Sequence, residues 1–484
     1  MCTTLPFSGF TDEHYMEIRS LYFFIVFQKV ILAGIQDDDP SYDGDGYIGL
    51  AISCSFTAIS LWLAPSLLTI TGSKNALIIG AVGELLFSAS FYLESTLLYY
   101  IVSAGSGITH ALLWTGQGVY LIENSTQKTV VRDSGIFWFL YHISPVLGNI
   151  SAFFPLAGKS SIDSATRVVI LDVLNVILAF SVVMFCFLPG PLKEREGSEL
   201  DSTEEASEGI QRGKDKENCV EALKEAWNVF TNKHMLALMI LFVYSGLQIA
   251  YSETIYNSSV GFTLSLSENV KELVPLTGIF NGIGIFLGVC IQALQKVKPF
   301  RWNNYVFLTI GIQCQLVGYV LTGLNLPDES AFGDTHSTGI SFNSVPIALL
   351  SSVLLGIGNM SIQTYVSSLI NTLFWDKSSQ VSAIFNFSES VWSAVCFLYS
   401  TKIGLYSQLI ILIVTAILGN LVYIRVELRL APEKQLKVVE TAPNDTPINC
   451  DLENNNKNNQ FIQNIKESCI HSIDRRTFKK LQED

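Results

Sequence analysis

Long runs of apolar residues, separated by short polar segments, recur along almost the whole chain. Each run approaches the ~20 residues that a helix needs to cross a bilayer. Helices are expected because backbone exposed to lipid must form its hydrogen bonds within its own segment. The pattern predicts an all-α membrane protein with twelve spans in two sets of six, near residues 21–36, 47–70, 76–93, 97–121, 135–157 and 167–188, then 235–255, 273–294, 303–325, 345–370, 381–401 and 405–426.

Two polar segments divide this pattern into domains. Residues 193–218 alternate Glu, Asp, Lys, Ser and Gly, and the chain turns polar again after Leu430. Such segments bury too little apolar surface to offset the entropy of ordering. We predict an N-terminal segment (1–20), a six-helix bundle (21–190), a linker with a short interfacial helix (191–233), a second six-helix bundle (234–430) and a disordered tail (431–484).

Basic residues indicate which way the chain crosses the membrane. If the N-terminus is cytosolic, the outer segments contain only Lys159, Arg167, Lys271 and Lys402, and the cytosolic segments contain nearly all other Lys and Arg. Cytosolic loops carry an excess of Lys and Arg in multi-pass proteins. We therefore expect both termini to be cytosolic, in a membrane that the sequence does not identify.

The two sets of spans resemble each other. The segment Ser134–Phe139 aligns with Ser382–Phe387 at an offset of 248 residues, and Gly107–Thr115 parallels Gly356–Thr364 at 249. Both pairs begin on the same predicted side of the membrane. This arrangement indicates a parallel repeat of two six-helix bundles.

Four short motifs resemble a known family. They are Leu113–Gly118, Arg132–Trp138, Leu354–Gly358 and Ala383–Phe387. Together they resemble the Unc-ninety-three-like branch of the major facilitator superfamily, especially its domain-containing-eleven group. The resemblance implies the major facilitator fold and a transporter whose substrate is unassigned. Relatives in the wider family are regarded instead as partners of ion channels or as trafficking factors for receptors.

Three departures from that resemblance bear on function. The first span holds about sixteen residues, or ~24 Å of helix for a core of ~30 Å, and it contains Lys29. The loop at Thr71–Asn75 keeps only traces of the superfamily's Gly, Asp and basic cluster. Asn359 stands where an acidic residue is expected in the tenth span. The last two features weaken the expectation of proton-driven transport.

Polar side chains in the fourth, fifth, seventh, tenth and eleventh spans are the candidates for a substrate or ion pathway. His110, Trp114 and Gln117 share one stripe of the fourth span, roughly 100° around the helix from a stripe of small residues, Gly107, Ala111, Thr115 and Gly118. Small residues favour close helix packing in lipid, whereas amides and imidazoles there are expected to face protein or a cavity. The complete candidate set is His110, Trp114, Gln117, His142, Gln248, Asn359 and Glu389.

The same residues also fit ordinary packing between helices. An ionisable group at mid-span costs roughly 2.5–3.5 kcal/mol on insertion scales unless it is paired or hydrated. For Glu389 a pathway role and a structural hydrogen bond are equally good interpretations. For Glu84, Asp172, His110 and His142 a structural role is favoured.

The sequence shows no complete enzyme motif. Gly158–Ser160 resembles the end of a phosphate loop, but it lies in a predicted outer turn and position 153 is Phe. None of the nine cysteines forms a C-x-x-C pair, so neither a zinc site nor a disulfide framework is expected. We expect no metal, cofactor or nucleic-acid partner. Asn257 is the one N-x-S/T site in a predicted outer loop and is the glycosylation candidate.

Two functions remain open at this point. The first is a transmembrane transporter of an unidentified small solute or ion, in which two bundles rock about a midplane cavity. The second is a non-transporting membrane protein of the same fold that regulates or escorts a channel or receptor.

Overall fold

The computed structural model describes residues 19–125, 129–190, 233–294, 303–373 and 378–440. Over these residues the chain forms helices α1 (Arg19–Asp38), α2 (Gly46–Thr71), α3 (Ser73–Ala89), α4 (Thr96–Glu123), α5 (Val130–Leu156), α6 (Ser164–Phe187), α7 (Lys233–Ala250), α8 (Leu273–Leu294), α9 (Asn304–Asn325), α10 (Val345–Leu373), α11 (Ser378–Ser400) and α12 (Leu405–Glu440). Helix α7 continues through a π-helical turn, Tyr251–Ile255, and a further helical segment, Tyr256–Phe262.

The predicted all-α membrane fold is confirmed. In the described part of the chain, 11 helices are long and apolar enough to cross a membrane, and α1 is the long helix that is not among them. Residues 191–232 and 441–484, where the sequence predicts the linker and most of the tail, lie outside the described residues. Helix α12 continues to Glu440, beyond the predicted end of its span.

Helix α1 is surrounded by protein despite its short apolar run. Phe27, Gln28 and Ile31 are fully buried, and α1 packs against α5, α6 and the end of α7. Lys29, the charge that shortens the apolar run, forms an ion pair with Asp45 at an Nζ–Oδ2 distance of 2.5 Å. A helix whose neighbours are protein needs less apolar surface than one facing lipid, and this explains why α1 reads as a weak span.

Small residues set the packing of α4 against α2. A Cβ atom at Gly107 would lie 2.2 Å from the Ser53 carbonyl oxygen, and Thr57 Oγ1 donates to the Gly107 carbonyl at 3.1 Å. Ala111 on the same stripe is fully buried. The stripe ends before Gly118, where a Cβ would meet nothing within 4 Å.

We expect Gly107→Ala to destabilise the protein and Gly118→Ala to leave its stability unchanged. An added methyl group at Gly107 forces α2 and α4 apart, and overpacking of this kind costs about 1–3 kcal/mol. The measurement is the thermal unfolding midpoint of the purified protein in mild detergent. Equal midpoints for the two variants would show that the α2–α4 distance is not set by Gly107.

The connections that follow the odd-numbered helices lie together and are called the odd-loop side. Here Arg167 Nη1 and Nη2 lie 2.8 Å from Asp38 Oδ2 and 2.9 Å from Glu94 Oε1. Lys271 Nζ lies 2.6 Å from Asp334 Oδ1. Two of the few basic residues on the predicted outer side therefore tie loops together.

The two six-helix halves touch each other through the pairs α2–α11 and α5–α8. Trp62 and Phe387 meet edge to face with ring centroids 5.5 Å apart. On the odd-loop side the halves also bond through the backbone, since the Gly158 N–H donates to Glu272 Oε2 at 2.9 Å and the Lys271 N–H donates to the Lys159 carbonyl at 3.3 Å. The odd-loop side is therefore closed between the halves.

Candidate functional site

A chain of buried amides and phenols crosses the C-terminal half. Gln315 Nε2 donates to Gln248 Oε1 at 2.8 Å, and Gln248 Nε2 donates to Asn359 Oδ1 at 3.1 Å. This chain of hydrogen bonds begins at Tyr244, whose hydroxyl donates to Gln315 Oε1. Gln248 and Gln315 are fully buried, so each hydrogen bond replaces one that water would have made. Two predicted site residues, Gln248 and Asn359, are thus in direct contact.

The chain of amides ends at a carboxylate in the π-helical turn of α7. Asn359 Nδ2 donates to Glu253 Oε1 at 3.4 Å. Single π-helical turns inside α-helices occur frequently at functional sites, because they shift the register of the side chains that follow. The turn at Tyr251–Ile255 lies inside the span Leu238–Phe262. Glu253 therefore belongs to the interior network.

Glu389 of α11 lies beside Gln363, which is one helical turn beyond Asn359 on α10. Its Oε1 accepts from Ser245 Oγ and from Gln363 Nε2, both at 2.7 Å. Gly246 permits this contact, since a Cβ there would lie 2.6 Å from the Glu389 carbonyl oxygen and would push α11 away. The side chain is partly exposed, and its Oε2 accepts no hydrogen bond from the described residues. One carboxylate oxygen is therefore available to a ligand.

Glu389 has no basic partner among the helices that surround it. Helices α2, α10 and α11 contain no Lys, Arg or His, and the basic residues of α7, Lys233 and His234, lie in its first turn, three turns before Ser245. A carboxylate in such a site is expensive unless it is protonated, hydrated or paired by something that binds there. The charge pattern of the C-terminal half thus fits a binding group better than a structural ion pair.

The candidates from the N-terminal half form an aromatic cluster. Trp114 contacts Tyr141 and Trp138, with ring centroids 5.4 Å and 6.5 Å apart. His142 stacks on Trp138 at 6.1 Å, and His110 meets Trp114 at 6.2 Å.

His110 also reaches a buried acid. Its Nδ1 lies 3.5 Å from Oε1 of Glu84, whose side chain is 5% exposed. Gln117, one turn beyond Trp114, is partly buried. Among the described residues, no hydrogen bond, ion pair or ring contact joins His110, Trp114, Gln117 and His142 with Gln248, Asn359 and Glu389, so the predicted set falls into two groups, one in each half.

A cavity lies where α5 of the first half faces α8 and α10 of the second. Its volume is about 360 Å³. It is lined by Trp138 and His142 from the first half and by residues of α8 and α10 from the second, among them Met360. The complete lining is Trp138, His142, Ile143, Val146, Gly282, Ile283, Phe286, Val289 and Met360.

A family model described as "Ion channel regulatory protein UNC-93" matches residues 40–424. The chain belongs to the UNC-93 family. Curated relatives of this UNC-93 family member include the UNC93-like protein MFSD11 of Xenopus laevis, which is 29% identical over 392 residues, 80% of this chain and 88% of the relative. The UNC93-like protein 3 of Arabidopsis thaliana is 24% identical over 428 residues, 83% of each chain.

Solved structures of similar fold are transporters. The nucleoside transporter NupG superposes with a TM-score of 0.58 at 11% identity, over 86% of this chain and 99% of its own. The peptide transporter POT in complex with sulfate gives a TM-score of 0.60 at 13% identity, over 87% and 93%. At these identities the likeness shows the fold alone, and the major facilitator fold expected of this UNC-93 family member is confirmed.

The predicted position of Asn257 is wrong. Asn257 lies in the helical segment Tyr256–Phe262, not in a loop, and its side chain is 1% exposed. Its Nδ2 donates to the Glu253 carbonyl at 2.7 Å. The helical end of α7 continues past the apolar run because polar residues there face protein instead of water. In this fold of the UNC-93 family member, Asn257 is inaccessible as a glycan acceptor.

Sequence reasoning missed several members of the network in this UNC-93 family member. Gln315 and Tyr319 come from α9, which the sequence analysis did not include in the pathway, and the two hydroxyls of Tyr244 and Tyr319 lie 3.4 Å apart. Gln363 and Ser245, the partners of Glu389, were also missed. The available signal was an amide in the middle of an apolar span, which Gln315 and Gln363 both provide.

Proposed function

We propose that this UNC-93 family member is a transmembrane solute transporter that works by alternating access. The observation that carries the proposal is the partly exposed Glu389, held by two hydrogen bonds at Oε1 while Oε2 stays available, inside a half that contains a continuous polar network. Structural packing would not require an accessible carboxylate oxygen in a region without a cation. A binding site for a transported solute does require one such group.

The contacts between the halves support a rocking motion. Helices α5 and α8 meet through small residues on the odd-loop side, where a Cβ at Gly278 would lie 2.4 Å from Asn149 Cγ. Closer to the middle of α5 the same two helices separate around the cavity. An interface that is tight at one end and open at mid-span suits two bundles that pivot about a central site. We propose in addition that both termini are cytosolic, which makes the odd-loop side the outer side.

The test is uptake of a broad panel of labelled solutes into vesicles containing the purified protein. The double variant Asn149→Cys, Gly278→Cys provides the matched control, since a Cβ at Gly278 would lie 2.4 Å from Asn149 Cγ, so the two cysteine side chains are within reach of each other between α5 and α8. We expect flux that stops when this disulfide forms and returns after reduction. Flux equal to that of empty vesicles for every solute would overturn the transporter proposal, as would flux that is insensitive to the disulfide.

Regulation of another membrane protein is the second candidate function. It is favoured by the description of the family model, which names UNC-93 as an ion channel regulatory protein. On this hypothesis a membrane protein should copurify in constant ratio from native membranes in mild detergent. The disulfide between positions 149 and 278 separates the two candidates, because a regulator that does not rock should still capture its partner when locked.

A further inference from the structure

The cavity between α5, α8 and α10 is open on one side. Three side chains at its mouth, Trp138, Ile283 and Phe286, are 48%, 41% and 55% exposed. On the odd-loop side it ends where α5 and α8 touch, since a Cβ at Gly282 would lie 2.2 Å from Val146 Cγ2. The cavity is therefore a wedge between the two halves whose mouth is lined by exposed apolar side chains of membrane-spanning helices.

The walls of the cavity are chemically simple. Apart from the indole of Trp138, His142 is the one lining side chain that carries a nitrogen or oxygen atom. The other lining residues are apolar or glycine. The His142 ring packs against Trp138 and Tyr141, with centroids 6.1 Å and 5.2 Å away. It forms no hydrogen bond with the described residues. An imidazole left without a partner in apolar surroundings is costly, so the cavity is incomplete until a ligand brings a hydrogen-bonding group.

The size of the cavity also fits a small molecule. Its volume of about 360 Å³ falls in the range of about 300–1,000 Å³ that is usual for ligand pockets, which are mostly apolar with few polar groups. Water is poorly held in a cavity that offers it no polar side chains besides the His142 imidazole and the Trp138 indole. A bare acyl chain would fill the space but would leave His142 unpaired.

We propose that this cavity binds a lipophilic solute drawn from the bilayer, with an aromatic or aliphatic body against Trp138 and Phe286 and one hydrogen-bonding group at His142. The inference rests on the proposed transport function and names its substrate class. The ligand would lie between Trp138 of the first half and Met360 of the second. A ligand in this wedge contacts both halves and is released toward whichever side they open.

The probe is 1-aminoanthracene, a flat apolar molecule with one hydrogen-bonding group, and 1-methylanthracene is its matched partner without that group. Saturable binding is followed by probe fluorescence on the full-length protein in nanodiscs, and photolabelling with 1-azidoanthracene followed by peptide mass spectrometry locates the site. We expect 1-aminoanthracene to bind at least tenfold more tightly than 1-methylanthracene, with label on α5 or α8. His142→Phe should abolish that preference without abolishing 1-methylanthracene binding.

Cavity-filling variants provide the second arm. Ile143→Trp and, on the opposite wall, Val289→Trp should each weaken binding at least tenfold, and Val176→Trp on the lipid-facing side of α6 should not. Thermal unfolding midpoints establish that each variant is folded. Two filling variants are used so that the test still stands if one of them does not fold. Label spread evenly over the lipid-facing helices would overturn the inference. So would label in the cavity from a photoreactive phosphatidylcholine acyl chain that 1-aminoanthracene does not displace.

Binding and flux separate this inference from the transporter proposal. If 1-aminoanthracene binds at the cavity and no solute is transported, the site is upheld and transport fails. If vesicles transport a solute while the two filling variants bind the probe and transport as the native protein does, transport is upheld and the cavity site fails.

Discussion

Replacing Asp45 by alanine is expected to destabilise the protein much more than replacing Lys29 by methionine. Asp45 Oδ2 pairs with Lys29, and Asp45 Oδ1 accepts the backbone N–H groups of Tyr47 and Ile48 at 2.7 Å and 3.2 Å, which caps the start of α2. The Lys29 side chain is 11% exposed and that of Asp45 is 26% exposed. Because Lys29 is the more buried of the two, leaving its charge without a partner costs more than leaving the charge of Asp45 without one.

The size of the effect follows from what each substitution leaves behind. Asp45→Ala leaves an uncompensated buried cation, which costs about 3–5 kcal/mol, and removes a helix cap, which costs about 1 kcal/mol more. Lys29→Met leaves a carboxylate that is partly hydrated and still bound by two N–H groups, while the methionine fills much of the lysine's space. We expect a far smaller loss from Lys29→Met.

Thermal unfolding midpoints of the purified variants measure this difference. The double variant Lys29→Met, Asp45→Asn removes both charges and should be more stable than Asp45→Ala alone, because no charge is then isolated. Lys159→Ala breaks an exposed pair with Asp163 and is the control, expected to change stability by less than about 1 kcal/mol. Equal losses from Asp45→Ala and Lys29→Met would show that burial of Lys29 does not control the stability of the α1–α2 hairpin.

The hydrophobic pattern predicts the fold well because each lipid-facing helix must be apolar along its whole length. Helix α1 shows where that reasoning loses information. Its polar residues Gln28 and Lys29 find partners in Tyr99 and Asp45, which come from distant parts of the sequence. The same limit applies to Asn257, whose polar neighbourhood resembles a loop although it is buried helix. A sequence pattern reports polarity, and it does not report whether protein or water surrounds the polar group.

The candidate site is predictable to a similar extent. Two candidates chosen from the sequence contact other protein side chains, Trp114 of the fourth span through Trp138 and Gln248 of the seventh span through Asn359. Partners such as Gln315 depend on which helices are neighbours in space, and helical periodicity within one span carries no such information. The cavity was equally hidden, because its walls are ordinary apolar residues from three helices that only the packing brings together.

The two halves divide the chemistry between them. The N-terminal half offers rings, with Trp114, Trp138 and Tyr141 in mutual contact. The C-terminal half offers amides and the carboxylates Glu253 and Glu389. A solute that passes between them would meet an apolar surface on one side and hydrogen-bonding groups on the other. This division makes Glu389 the residue whose loss should affect transport most directly.

Replacing Glu389 by glutamine is expected to lower solute flux by roughly tenfold to a hundredfold without lowering the amount of folded protein. Glutamine keeps the size of the side chain and an oxygen that can accept from Ser245 and Gln363, so the packing of α7, α10 and α11 is retained. What is lost is the charged oxygen Oε2. A hydrogen bond to a charged group contributes about 1.5–3 kcal/mol, and each 1.4 kcal/mol is about a factor of ten.

The control is Asp172→Asn, which neutralises another carboxylate within a span. Asp172 Oδ1 accepts from the Tyr92 hydroxyl at 2.6 Å on the outside of α6, away from the halves' interface. Initial flux rates in vesicles are compared for the native protein and both variants at equal protein content, with thermal midpoints measured in parallel. Normal flux through Glu389→Gln at a normal midpoint would show that Glu389 is a packing residue. A lowered midpoint of Glu389→Gln together with a restored midpoint in Glu389→Asp would show that the carboxylate serves the fold, because aspartate retains the charge on a shorter side chain.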